Sequence, residues 1–310
     1  MNTPQESSVA EPSPDKIGDR FVHAGLLTPD QVARIVAHQQ SHGVRFGEAA
    51  VQLRMLTDAD VQSVLSQQFR YATALQPPAG IDPSLAIALS PFSGEAEAVR
   101  RVRAELSIRL SALPKLAVAV VSPGAGEGKS YLAASLAVAY AQSGQRTLLV
   151  NANLRASGQR DLFGTGLGEG LSTMLAGRTA VLPGSPAPGF PLLHVLGPGP
   201  QPPNPLEILA EPALERLLAR FSEDFDVFIV DTPAAGQSSD AQVIARQVGQ
   251  CVLVGRQHVT RLQDLARAEE QMATAGALTV GVVYNTFDGG EPGPRRGGPL
   301  RRLRSWVRRG

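Results

Sequence analysis

Apolar residues recur at three- and four-residue steps in two segments near the N-terminus, and the segments match one another. IGDRFVHAGLLTPDQVARIVAHQ starts at Ile17 and FGEAAVQLRMLTDADVQSVLSQQ at Phe46. A shift of 29 positions (47 − 18) lays Gly18 on Gly47, Val22 on Val51, Leu27 on Leu56, Thr28 on Thr57, Val32 on Val61 and Gln39 on Gln68. Each threonine stands just before an apolar row of helical spacing, where an N-cap belongs. The pattern predicts a short helix, a turn and a longer helix per repeat, two copies burying together what one cannot.

Further on the period changes. YATALQPPAGIDPSLAIALSP, from Tyr71 to Pro91, reads as a linker with one helical turn, and GEAEAVRRVRAELSIRL sets Val99, Val102, Leu106 and Leu110 on one helical face. Then short β-branched runs (LAVAVV, TLLV, LLHVL, DVFIVD, CVLVGR and TVGVVY) alternate with helical stretches. That alternation predicts an α/β fold with a mainly parallel sheet covered by helices on both faces. The expected divisions are a disordered segment at 1–14, a helical repeat module at 15–70, a linker at 71–94, an α/β domain at 95–288 and a basic tail at 289–310.

Composition narrows the class without naming it. Of 310 residues, 43% are hydrophobic and 18% charged, which suits a soluble globular protein. A net charge of +1 gives no global attraction to nucleic acid, and none is expected as a partner. The lone Cys251 excludes an internal disulfide, and its place in CVLVGR reads as a buried thiol in a strand. The first residues lack an apolar signal-peptide core, and no run of about eighteen apolar residues is present. The expected location is the cytoplasm.

AVAVVSPGAGEGKSYLAASLAVAYA reads as a strand, a glycine-rich turn and a helix. Gly126, Gly128, Lys129 and Ser130 fit the end of a phosphate-binding P-loop, although Pro123 replaces the first glycine of the general pattern. In such a loop successive N–H groups face the phosphates at a helix N-terminus, the lysine reaches the β- and γ-phosphates, and the serine ligates Mg²⁺. FDVFIVDTP ends an apolar strand in Asp231, where a carboxylate would hold the water shell of Mg²⁺. The fold class predicted is therefore a P-loop NTPase with ATP and Mg²⁺ as cofactors.

With EAVRRVRAEL, SPGAGEGKS, LLVNANLR, LGPGPQPPNPLEIL, FDVFIVDTPAA with Asp240, and GVVYNTF, the stretch from about Pro91 to Phe287 resembles the bacterial protein-tyrosine kinases of exopolysaccharide synthesis and export. With the paired repeats in front, the chain is most similar to the EpsG-type chain-length-determinant kinases. The resemblance implies a cytoplasmic kinase chain at the inner face of the membrane, working with a membrane-bound chain-length-determinant protein. It implies catalysis by Lys129, Asp231 and Arg155 with the two positions held here by Asn151 and Asn153. Nucleotide contacts would come from Gly124, Gly126, Gly128, Lys129, Ser130, Tyr131 and Asn285, and metal contacts from Ser130 and Asp231. Glu97, Arg100 and Arg103 match a helix that joins subunits in a ring, although by charge alone that helix is a solvated face. Partitioning ATPases, a related branch, carry a second lysine where this chain has Gly124, which favours the kinase branch.

The chain also departs from the family. The second strand normally runs into D-x-D-x-R, and here LLVNANLR places Asn151 and Asn153 at the two aspartates. An asparagine offers a carbonyl oxygen to Mg²⁺ but no charge, and it cannot act as a base. The family's tyrosine-rich tail has no counterpart in EPGPRRGGPLRRLRSWVRRG, and Tyr71, Tyr131, Tyr140 and Tyr284 all lie earlier. The expectation is a kinase-family protein that binds nucleotide and has weak or absent phosphotransfer. Finally, the repeats resemble N-terminal modules of secretion and pilus ATPases, some of which bind cyclic di-GMP. Arg45, a turn at Gly47, and Gln68 would take that ligand, or the module is a helical docking domain. Leu300, Leu303, Trp306 and Val307 share a helical face among arginines, which suits either an anionic membrane surface or a solvated tail.

Overall fold

Threonine caps and matched apolar rows settle the first segment locally. In the computed structural model, which describes residues 17–57, 60–61, 64, 80–91, 93–155, 161–164, 168–179, 184–210, 212–286 and 305–306, the chain falls into two compact units, Met1–Tyr71 and Ala72–Gly310. In the first unit α1 (Ile17–His23) and α2 (Pro29–His42) form one repeat, and α3 (Phe46–Gln52) opens the next. Gln31 N–H donates to Thr28 Oγ1 at 3.4 Å, and Thr28 N–H donates back to Gln31 Oε1 at 2.8 Å. Thr57 and Asp60 repeat the reciprocal bonds at 3.2 and 2.8 Å. Each pair satisfies N–H groups that a helix start leaves open.

The repeat mates Leu27 and Leu56, and Ile35 and Val64, meet in one core with Phe21 and Phe46. Its helices approach closely at glycine. A Cβ on Gly18 would lie 2.5 Å from Val32 Cγ1, and one on Gly47 2.6 Å from Val61 Cγ1.

The second unit begins earlier than the expected linker allowed. Ile81, Leu85, Ile87 and Ala88 are buried in its core, and α4 (Ala86–Leu89) packs there with α5 (Gly94–Arg109). Gln142 Nε2 donates to Ile87 O at 3.2 Å. The proline-rich composition of 71–91 hid these apolar residues, so the described part of the linker, from Gly80 on, is wall rather than tether.

The strands are β1 (Leu116–Val121), β2 (Thr147–Asn151), β3 (Ser185–Ala187), β4 (Phe190–Leu196), β5 (Val227–Asp231), β6 (Gln250–Arg256), β7 (Leu278–Asn285) and β8 (Ser305–Trp306). They form one sheet in the order β3-β4-β2-β5-β1-β6-β7-β8. Pairings are parallel from β4 to β7, and the edge strands β3 and β8 run antiparallel to their neighbours. All six predicted strands are present.

Side chains alternate between two cores, as a doubly covered sheet requires. Val118, Val120, Val227, Ile229, Val252 and Val254 face α5 and α6 (Lys129–Gln142). Ala119, Val121, Phe228, Val230, Cys251 and Leu253 face the opposite layer. That layer contains α7 (Leu171–Leu175), α8 (Pro205–Ala210), α9 (Ala213–Arg220), α10 (Asp240–Val248) and α11 (Leu262–Thr274). Cys251 is fully buried, as expected, and burial pushes its thiol pKa up.

Candidate nucleotide site

β1 ends in the middle of the sheet, and the chain curls through Ser122–Gly128 into α6. Gly126 and Gly128 take φ of +74° and +98°, a region that side chains disfavour. The first turn of α6 follows this curl directly, and the N–H groups that a helix start leaves open there suit an anion. Lys129 is the first residue of that helix and is 7% exposed. Ser130 follows it.

Register brings in the acidic partner. Asp231, 3% exposed at the end of β5, lies opposite Val120 on one side and Asn151 on the other. Ligands of open α/β sheets collect at these carboxyl ends. The donor set of loop amides, a lysine, a serine hydroxyl and a carboxylate is hard and oxygen-rich on the metal side, so it fits Mg²⁺-ATP. Lys129 and the loop amides would hold the phosphates, with Ser130 and Asp231 toward the metal. Bound magnesium would supply charge neutralisation between the phosphates.

The two asparagines shape the strand end. Asn151 Oδ1 accepts Asn153 N–H at 3.1 Å, and Asn153 Oδ1 accepts Arg155 N–H at 3.4 Å. These are turns closed by a side-chain oxygen, a role aspartate fills equally well. Each amide oxygen thus already accepts one backbone N–H, which ties it to the turn. An aspartate closing the same turn keeps a second oxygen for a cation, whereas asparagine has a donor NH₂ there.

Arg155 is fixed by a fork to Asp240. Its Nε donates to Oδ2 at 2.6 Å and Nη2 to Oδ1 at 3.0 Å, while the Asp240 side chain is fully buried. Those hydrogen bonds, and the charges of Asp240 and Glu207, raise the guanidinium pKa above its ordinary value against some desolvation. Arg155 is thereby oriented from α10.

Other predicted residues take unexpected places. Asn285 Nδ2 donates to Glu127 O at 3.0 Å, and its backbone O accepts Gln257 N–H at 2.8 Å, so this amide braces the P-loop. The Tyr131 hydroxyl accepts Ala86 N–H and donates to Glu95 Oε1, each at 3.3 Å. Burial first, and then the Glu95 charge, push this phenol up to about 12. Its side chain faces α4 and α5, which leaves only its backbone N–H for the phosphates. Arg100 reaches Pro91 O, and Arg103 Nη1 donates to Ala139 O at 2.9 Å. Both guanidinium groups thus anchor α5 within the unit, and of the three predicted contact residues Glu97 is the one whose side chain is half exposed.

Gly47 lies inside α3, so there is no glycine turn for a phosphate; it is glycine because Val61 packs against it. Arg45 is exposed, with its N–H donating to Glu48 Oε2 at 3.2 Å. Gln68 and the basic tail's Leu300, Leu303 and Val307 lie outside the described residues.

Sequence reasoning missed Glu127, Arg256 and Thr260, which cluster at the P-loop. Arg256 Nη1 donates to Gly126 O at 3.0 Å, and Glu127 Oε2 accepts Gly124 N–H at 2.6 Å. The glutamate was visible inside GEGKS; Arg256 lies 130 positions from its partner Gly126 and Thr260 lies 133 from Glu127, and only the sheet order brings them in.

Among the described residues no helix is long and apolar enough to cross a membrane. No protein-family model matches the chain. Known proteins do. The tyrosine-protein kinase YwqD of Bacillus subtilis is 31% identical over 195 residues, covering 63% of this chain and 82% of YwqD. The tyrosine-protein kinase Etk of Escherichia coli is 29% identical over 227 residues, 72% of this chain but 30% of Etk. The solved kinase domain of Etk superposes with a TM-score of 0.62 at 28% identity, covering 72% of this chain and 88% of that domain. The chimerical protein CapA2B2 gives 0.61 at 28% identity, over 71% and 96%. Motifs, strand order and relatives agree: the chain belongs to the family of bacterial tyrosine-protein kinases.

Proposed function

We propose that the chain binds Mg²⁺-ATP or ADP and, with a membrane-bound chain-length-determinant protein as partner, regulates exopolysaccharide chain length or export at the cytoplasmic face of the membrane. The observation that carries the nucleotide reading is the buried Lys129 heading α6 behind a left-handed Gly128, with Asp231 paired to Val120 on the strand that leads into the loop. The polysaccharide role and the partner rest on the paired repeats in front of a kinase block. Self-association through α5 remains part of the proposal, carried by Glu97.

A second reading, a nucleotide-gated assembly factor with impaired chemistry, is favoured by the turns at Asn151 and Asn153, whose oxygens are engaged by backbone N–H groups. Both readings need the pocket. Calorimetry of the full chain with Mg²⁺-ATP should show binding that Lys129→Met abolishes, because the lysine charge meets the β- and γ-phosphates. Equal affinity in the variant would remove the nucleotide assignment.

A further inference from the structure

The P-loop contains an anion of its own. Glu127 is 3% exposed, between two glycines of a loop shaped to receive phosphate. A buried carboxylate there costs free energy and repels the ligand unless its hydrogen bonds build something the ligand needs.

Those bonds tie the loop to the far side of the pocket. Glu127 Oε2 accepts Gly124 N–H at 2.6 Å, and Oε1 accepts the Thr260 hydroxyl. Thr260 Oγ1 itself accepts Arg256 N–H at 2.7 Å, which leaves its single proton for the carboxylate. Gly126 O and Glu127 O take Arg256 Nη1 and Asn285 Nδ2, each at 3.0 Å. Gly124 leaves room for the arrangement, since a Cβ there would stand 3.3 Å from Glu127 Cδ and Oε1. Gly128 does the same for Asn285, whose Nδ2 a Cβ would strike.

We propose that Glu127 and Thr260 form a latch that positions the phosphate loop for nucleotide, joining it to the turn between β6 and α11. The inference rests on the nucleotide reading above. The latch fixes Gly124–Gly128 before the ligand arrives, so its amides need no ordering on binding. Glu127 and Thr260 are positioning residues: they act through the loop and touch no reacting atom.

The test is Mg²⁺-ADP affinity by calorimetry of the full chain, with melting temperatures recorded alongside. Thr260→Val and Glu127→Gln should each weaken binding by about tenfold, the lower end for a hydrogen bond to a charged group. The double variant should be no weaker than the worse single one, because glutamine takes the charge and one acceptor oxygen, and valine the donor, from the one Glu127–Thr260 contact. Thr260→Ser keeps the hydroxyl and should restore parental affinity. Unchanged or tighter binding in Thr260→Val or Glu127→Gln overturns the latch, the latter showing that the carboxylate only repels phosphate. Multiplying effects in the double variant, or a serine variant as weak as the valine one, also overturn it. Lys129→Met separates the two claims: if it abolishes binding while the latch variants bind normally, only the latch fails.

Discussion

Arg54 adopts φ +54°, a left-handed conformation that costs a residue with a Cβ about 1–3 kcal/mol. Its repeat mate, 29 positions earlier (54 − 25), is Gly25 with φ +69°. The same bend is therefore built twice, once with the residue suited to it. Arg54→Gly should stabilise the first unit by about 1 kcal/mol, less than the full strain because glycine loses more entropy on folding. Slower hydrogen exchange of the α1–α3 amides in the full chain would show it; faster exchange would mean that the arginine side chain contributes more than the strain costs. At this scale the sequence was legible where a residue has one physical use. The P-loop glycines, Lys129, Asp231 and the threonine caps could be read directly. Gly47 could not, because glycine serves turns and close packing alike, and the contact with Val61 appears only once the helices are placed.

Elements were legible wherever a strand is long and buried on both faces. β3 (SPA) is illegible because three residues with a proline carry no period, and 71–91 reads as a linker with one helical turn because prolines flank its short apolar run; the turn is α4, but it is buried. β4 makes a pH prediction. His194 is half-buried edge-on to Phe225, with centroids 5.3 Å apart, and its buried Nδ1 has no hydrogen-bond partner among the described residues. Burial lowers its pKa below the ordinary value. The unfolded chain, with a pKa of about 6.5, then takes the proton first, so stability is full above that pH and is lost as pH falls toward the folded pKa. Urea midpoints of the parent should drop between pH 7.5 and 5.5 more than those of His194→Leu. Equal drops would place the acid sensitivity elsewhere. In the helices, Gly18→Ala or Gly47→Ala should cost about 1–3 kcal/mol by overpacking against Val32 or Val61. Chemical denaturation with unchanged midpoints would show that the valines move aside freely.

For the whole molecule, the sheet order decides what meets at the site. β1 lies between β5 and β6, so the P-loop has Asp231 on one flank and the Arg256–Thr260 turn on the other. Motifs gave the first flank; the second was illegible because hydrogen-bonded partners 130 residues apart leave no local pattern. β2 lies beyond β5 and sets Asn151 across from Asp231. Where the motif resemblance implies two carboxylates, this chain has amides that close the turn and carry no charge. That substitution should damage chemistry far more than binding, since phosphate affinity rests on Lys129 and the loop amides. The most direct measurement compares the parent with Asn151→Asp/Asn153→Asp, reading ATP turnover or phosphotransfer and nucleotide affinity on the same preparations at saturating Mg²⁺. The account predicts at least about a tenfold gain in rate, a conservative share of what a positioned base contributes, with affinity moving much less. A parent that already turns over as fast as the double variant would contradict it, and would mean that other groups do the work of the missing carboxylates.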